Sequence, residues 1–234
     1  MKTIGLIGGM SWESTQDYYR LINVAVREKK GGYHSAKCIL LSVDFAEIET
    51  LQRLGDWDAA GEMLAAAASR LEKAGADLLV LCTNTMHITA PAIQKAVSVP
   101  FLHIADATAH AITAGGLTKV GLLGTRFTME EEFYKGRLAL RHGLEVIVPE
   151  ATDRDIVHNV IYDELVHGSI VAQSRQAYRE IIGKLVAAGA QGIILGCTEI
   201  GMLVKPEDSV VPLFDTTQLH ALAAVRLALD IQEL

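Results

Sequence analysis

Short apolar runs alternate along the chain with longer stretches in which apolar residues recur every three or four positions. The first kind reads as buried strands and the second as amphipathic helices. Residues 3–7 are strand-like, and Gly8-Gly9-Met10-Ser11 turns out of them. Ser11 or Ser14 then caps a helix running to about Glu28, which Lys30-Gly31-Gly32 ends. Residues 37–43 form a second strand, and Asp44 to Glu47 opens a short helix with capping-box spacing. A long Ala-rich helix spans about 56–73, a third strand 77–81, and a fourth 99–104, with a helix interrupted near Pro91 between the last two.

The second half continues in the same way. A helix from Asp106 stops at Gly115-Gly116, and residues 119–123 form a strand. Thr128 to Glu131 reads as a capping box for a helix to Arg141, followed by a strand at 144–148. Helices at about 153–166 and 169–188 lead to the apolar run Ile193-Ile194-Leu195. A last strand at 210–213 precedes a helix over 216–231 that Asp215 caps. Strand and helix alternate throughout, which predicts an α/β protein with parallel sheets.

The two halves also repeat each other. Ile4-Gly-Leu-Ile-Gly8 matches Val120-Gly-Leu-Leu-Gly124, an offset of 124 − 8 = 116. Ala74 to Leu81 matches Ala188 to Leu195 at 195 − 81 = 114, and Val99-Pro100 matches Val211-Pro212 at 211 − 99 = 112. Three matches in one order predict two related lobes, residues 1–105 with 214–234 and residues 106–213. Each lobe is expected to hold a parallel four-stranded sheet flanked by helices. Gapless alignment sets Cys82 on Gly196 and Thr83 on Cys197.

Composition narrows the class of function. The 234 residues are 50% hydrophobic and 21% charged, ordinary for a globular protein, and the net charge of −7 argues against general nucleic-acid binding. No window approaches the roughly 18 apolar residues of a membrane span, and the N-terminal apolar run is too short for a signal peptide. Three scattered cysteines imply no disulfide framework, so a reducing, cytoplasmic setting is expected.

Candidate chemistry gathers at strand ends, where open α/β sheets bind ligands. Cys197, Thr198 and Glu199 follow one buried strand directly, although most free cysteines are simply small buried hydrophobes. Thr83 occupies the equivalent position of the first half. Side chains alternate along an extended segment, so Cys82 is expected in the core of its own lobe, as is Cys38 within its strand. Two proton-transfer groups on opposite faces of a carbon atom invert it. A helical turn after Cys197 is expected to lower its pKa and favour the thiolate. Backbone amides after Gly8 and Gly124 suit a carboxylate. Ser11, Asn84, Thr85, Thr125 and Thr198 add neutral hydrogen-bonding groups, for each of which a capping role is the alternative. His87 either orients site groups or packs. No dinucleotide fingerprint, P-loop, metal-ligand spacing or pyridoxal-phosphate lysine is evident, so neither cofactor nor metal is expected.

These residues resemble the aspartate/glutamate racemase family of cofactor-independent amino-acid racemases over essentially the whole length. The marks are Gly8-Gly9-Met10-Ser11, Asn84-Thr85-x-His87, Gly124-Thr125-Arg126-x-Thr128 and Gly196-Cys197-Thr198-Glu199. The resemblance implies two pseudo-symmetric lobes with the active site in the cleft between them, commonly a homodimer, and two catalytic cysteines. It implies Cys197 as the base toward the L-isomer, while Thr83 stands where the first cysteine belongs, as in the L-aspartate/glutamate-specific type. Met10, Ser11, Gln52, Asn84, Thr85, Thr125, Thr198 and Glu199 are the implied substrate-binding positions. Relatives hold the side-chain carboxylate with a basic residue near residues 161–168, where this chain has no lysine. Arg53, Arg126 and His167 are the substitute cations, and a broad-specificity racemase acting on substrates such as homoserine is the alternative. Hydantoin racemase, maleate isomerase and arylmalonate decarboxylase share the architecture. A two-lobed small-molecule binding protein is the non-enzymatic reading.

Overall fold

Two parallel four-stranded sheets flanked by helices make up the fold, seen in a computed structural model that describes residues 1–231. Contacts divide the chain into two units, Met1–Ile104 with His220–Leu234, and Ala105–Leu219. The second division falls inside a helix rather than at residue 214, and residues 232–234, expected in the first lobe, lie outside the described residues.

In chain order the elements start with β1 (Ile4–Gly8), α1 (Trp12–Lys30), β2 (Cys38–Ser42), α2 (Phe45–Leu54), α3 (Trp57–Lys73), β3 (Leu78–Leu81), α4 (Ala90–Ala96) and β4 (Phe101–Leu102). There follow α5 (Ile104–Ala114), β5 (Lys119–Gly124), α6 (Arg126–Glu130), α7 (Glu132–His142), β6 (Glu145–Ile147) and α8 (Ala151–Asp163). The chain continues through α9 (Ala172–Ala187), β7 (Ile193–Gly196), α10 (Ile200–Leu203), β8 (Leu213–Asp215) and α11 (Thr216–Ala228). Among the described residues no helix is long and apolar enough to cross a membrane.

The first sheet has the order β2-β1-β3-β4 and the second β6-β5-β7-β8, with every pairing parallel. Register carries the repeat to single residues. Ile7 lies beside Leu81, and Leu123 beside Leu195. Since 123 − 7 = 116 and 195 − 81 = 114, these are the offsets read in the sequence. Close packing repeats as well. A Cβ on Gly8 would stand 2.3 Å from Thr15 Cγ2, and one on Gly124 would stand 2.9 Å from the Gly196 carbonyl oxygen, so both strand ends exclude a side chain.

The first unit's core alternates as a doubly covered sheet should. Leu78, Val80 and Cys82 pack with Tyr18 and Ile22 of α1 and with Ala221, Ala224, Val225 and Ala228 of α11. Leu79 and Leu81 pack on the other face with Ile48, Leu64, Leu71 and Met86.

Several boundaries differ from the sequence reading. Thr128 does not cap: Thr125 does, accepting from Thr128 N, and the chain breaks at an extended Glu131 before α7. Pro91 lies in the first turn of α4, just after Ala90, where its missing N–H costs nothing. The strand placed at 210–213 lies instead at Leu213–Asp215, where β7 supplies a partner, while Val210 is exposed. The helix expected from residue 153 to 166 ends at Asp163.

An ion cluster holds α5 to α7 within the second unit. Arg137 makes two hydrogen bonds to Asp106, at 2.7 and 2.6 Å, and His142 Nε2 donates to the same carboxylate at 3.0 Å. Burial alone would raise the Asp106 pKa, but the hydrogen bonds and charge of Arg137 and His142 hold it below the usual value. A carboxylate with a lowered folded-state pKa adds stability above its unfolded value near 3.9 and loses it as the pH falls through the folded value. Arg137→Ala leaves this carboxylate without its main partner and is expected to cost about 2–4 kcal/mol near neutral pH. Urea unfolding at pH 7 and in acid checks this, with the difference from wild type shrinking in acid.

Candidate active site

In the first unit the candidates lie at the carboxyl ends of β1 and β3. Gly9 takes φ +97° against the backbone of β2's exit, where a Cβ would stand 2.2 Å from the Val43 carbonyl oxygen. Its N–H donates to Thr15 Oγ1 at 2.9 Å, so this amide of the expected carboxylate cradle is already engaged. Ser11 is the N-cap of α1 and accepts from Ser14 N, which is the capping role open to it from sequence. Met10 is buried in the same core cluster as Met86, and Gln52 Nε2 lies 3.0 Å from Met86 Sδ. Gln52 is thereby brought beside the 3-10 turn Thr85–Thr89 that follows β3.

Thr83, Asn84 and Thr85 are all buried at the head of that turn. Cys82 is fully enclosed among α1 and α11 side chains, and burial pushes its thiol pKa far up. Cys38 is likewise raised by burial, to about 11. His87, which sequence left between orienting and packing, donates from Nδ1 to the Thr83 carbonyl at 2.7 Å.

In the second unit Thr125 caps α6, and its hydroxyl lies 3.2 Å from that of Thr128. The Arg126 N–H donates to His158 Nδ1 at 3.2 Å, and its guanidinium pairs with Asp155 at 2.8 Å. Loss of solvation, and then the Arg126 charge, lower the His158 pKa and favour the neutral ring that accepts this bond.

Cys197, Thr198 and Glu199 meet directly. The Cys197 thiol donates to Glu199 Oε2 at 2.9 Å, and Thr198 Oγ1 donates to the same oxygen at 2.7 Å. The expected activation by a following helix is not what this geometry produces. Helix α10 has only 4 residues, and burial first, then the charge and side-chain hydrogen bond of Glu199, raise the Cys197 pKa well above its ordinary value. Backbone hydrogen bonds at Thr198 and Glu199 oppose this less strongly. The resting group is a thiol donating to a carboxylate, and the pair shares one proton between a sulfur and an oxygen. Sequence assigned Glu199 to substrate binding; its position two residues after the cysteine was the available signal for this contact.

The substitute cations are partly committed. Arg53 lies 3.8 Å from Glu49 on an exposed helix face, and Arg126 is held by Asp155. His167 is exposed and follows the acidic Asp163 and Glu164 in the chain. Among the described residues no group of three His, Cys, Asp or Glu is placed to hold a metal ion.

The family described as Asp/Glu/Hydantoin racemase matches residues 7–224. A crystal structure of a provisionally named Asp/Glu racemase from Yersinia pestis is 58% identical, superposes with a TM-score of 0.93, and covers 98% of this chain and 100% of its own. An aspartate racemase homologue from Pyrococcus horikoshii OT3 is 35% identical, with a TM-score of 0.83 and coverage of 97% and 99%. The broad specificity amino-acid racemase of Bacillus subtilis strain 168 is 27% identical over 184 residues, 76% of each chain.

Proposed function

The chain belongs to the Asp/Glu/hydantoin racemase family, and from that premise we propose that it inverts L-glutamate or L-aspartate at Cα without a cofactor. The observation that carries the reading is the 2.9 Å hydrogen bond from the Cys197 thiol to Glu199 at the end of β7. Glu199 accepts the thiol proton, and the resulting thiolate removes the α-proton of the L-isomer. The electron pair left on Cα delocalises into the α-carboxylate. The Thr83 hydroxyl returns a proton to the other face and is reprotonated by water. The α-proton stays on the Cys197 sulfur, and the proton held by Glu199 passes to the hydroxide left behind, which restores thiol and carboxylate. One proton leaves and one arrives, so the step involves no oxidation or reduction.

A threonine hydroxyl is acidic enough to protonate a carbanion but removes a proton poorly, because near neutral pH it stays protonated and offers no alkoxide to act as base. At saturating substrate, turnover should therefore begin well only from the L side, while kcat/KM stays equal in the two directions as the racemic equilibrium requires. The substrate is a small molecule, and nucleic-acid and membrane partners form no part of the proposal. A homodimer in a reducing cytoplasm is in keeping with the family resemblance and with three free cysteines.

A second reading has an observation in its favour. Arg53 and Arg126 both have carboxylate partners, and residues 161–168 include Asp163 and Glu164 but no lysine. An uncharged side chain such as that of homoserine then suits the site, and the protein is a broad-specificity amino-acid racemase. Chiral analysis after incubation with L-glutamate, L-aspartate, L-homoserine, hydantoins and malonates decides. Inversion of the acidic pair foremost is expected. Preferred inversion of homoserine moves the assignment to the second reading. Turnover of hydantoins or malonates alone, or binding without turnover, overturns both.

A further inference from the structure

Resting on the reading of Thr83 as the proton-returning group, we infer that His87 is its positioning residue, a neutral imidazole that sets the Thr83 backbone and exchanges no proton itself. Strand pairing ends just before Thr83. The β1–β3 ladder closes at Ile7 and Leu81, Cys82 N–H still donates to the Ile7 carbonyl at 2.9 Å, and β3–β4 pairing closes at Val80 and Leu102. The Thr83 carbonyl thus lies past the sheet, where a buried acceptor needs another donor. His87 supplies it from Nδ1 at 2.7 Å, and its Nε2 accepts the Ile104 N–H at 3.2 Å.

These two bonds define the ring's state. A carbonyl only accepts, so Nδ1 carries the proton; an N–H only donates, so Nε2 carries none. With both nitrogens engaged by backbone, neither serves as base toward the Thr83 hydroxyl. The ring is 1% exposed and packs against His103 at 4.5 Å between centroids and Phe101 at 5.6 Å, which fixes its plane. It ties the turn after β3 to the first residue of α5.

The other repeat shows that this is an added device. There the equivalent carbonyl, that of Cys197, accepts from the backbone N–H of Ile200 at 3.2 Å. The position equivalent to His87 is 87 + 114 = 201, a glycine. Cys197 has a carboxylate on its reacting atom and an ordinary turn behind it. Thr83 has a side chain holding its backbone. The first arrangement manages a proton; the second aims a hydroxyl whose only part is to deliver one.

Two variants separate the imidazole's bonds. His87→Asn places an amide N–H within reach of the Nδ1 position and loses the acceptor for Ile104. His87→Gln places an amide oxygen near the Nε2 position and loses the donor to Thr83. Each is incubated with L-glutamate and L-aspartate in heavy water, and deuterium entry into the L pool is compared with inversion to D. In the Gln variant inversion is expected to fall about tenfold or more relative to exchange, because the misplaced hydroxyl fails only in proton return. The Asn variant is expected to keep the wild-type ratio. Exchange and inversion falling together in both variants, in step with stability, would make His87 merely structural and overturn the inference. Nitrogen NMR of the wild-type ring needs no variant: a neutral, Nδ1-protonated imidazole is expected, and an imidazolium or Nε2-protonated ring overturns the inference. Lack of any Cys197-dependent exchange in wild type overturns the racemase reading instead, and the ring tautomer distinguishes the two failures.

Discussion

Cys197→Ser is expected to lower α-proton exchange from the L-isomer by about 10²–10⁴-fold while leaving the fold intact. Serine matches cysteine closely in shape and still donates to Glu199, but its hydroxyl is far harder to ionise than a thiol. Cys82→Ser is the matched comparison. Both sulfurs are buried, yet Cys82 sits among apolar side chains of α1 and α11, whereas the Cys197 thiol donates to the Glu199 carboxylate. That change should leave exchange per folded molecule near wild type and cost about 1–3 kcal/mol, since it places a hydroxyl in an apolar core. Proton exchange followed by NMR, with urea unfolding of both variants, checks the pair. Equal loss of exchange in the two variants would remove the special standing of Cys197.

Glu199→Gln should change how exchange depends on pH. In the wild type the thiol proton passes to a carboxylate 2.9 Å away and stays within the pair. Exchange from the L-isomer is therefore expected to be nearly flat across neutral pH. Glutamine cannot take that proton, so it must leave to solvent before the sulfur can act. Exchange should then rise about tenfold per pH unit below the thiol's own titration. The sign of the second effect is opposite to a simple loss of function. Burial is the main cause of the raised Cys197 pKa and Glu199's charge the next, so removing the charge lowers it. Alkylation of Cys197 by iodoacetamide at pH 8 should speed up by roughly tenfold in the variant. Slower alkylation in Glu199→Gln would contradict the assignment of Glu199 as the group that holds the thiol protonated.

The sheet architecture was legible because buried parallel strands must be apolar nearly throughout, and Ile4–Gly8, Leu78–Leu81 and Ile193–Gly196 are. The repeat was legible for a related reason. Glycines that admit the next helix at Gly8 and Gly124 tolerate no other residue, so they mark equivalent points. Register then sets Thr83 two residues beyond Leu81 and Cys197 two beyond Leu195, the equivalence read from sequence alone.

What sequence missed was side-chain direction. Thr125 and Thr128 both sit where a cap is useful, and only the path of the chain at Glu131 decides between them. Glu199 could bind a ligand or turn back on its neighbour, and a carboxylate two residues from a thiol permits either. The helix expected to ionise Cys197 is one turn long, too short to outweigh a carboxylate in contact with the sulfur. His87 likewise carried no sign in the sequence that both ring nitrogens would be taken by backbone groups.

The proposed pairing of a strong base with a group that only returns protons is tested most directly by exchange from both enantiomers. Wild-type protein is given the L- and then the D-isomer of its preferred amino acid in heavy water, and initial deuterium entry is compared with inversion by NMR and chiral chromatography. A catalyst leaves the racemic equilibrium unchanged, so the difference has to appear in these rates. With Cys197 as base and Thr83 as proton donor, the L pool gains deuterium faster than it inverts, and the D pool gains it no faster than it inverts. Exchange that outruns inversion equally from both sides would require two competent bases and would contradict the role given to Thr83.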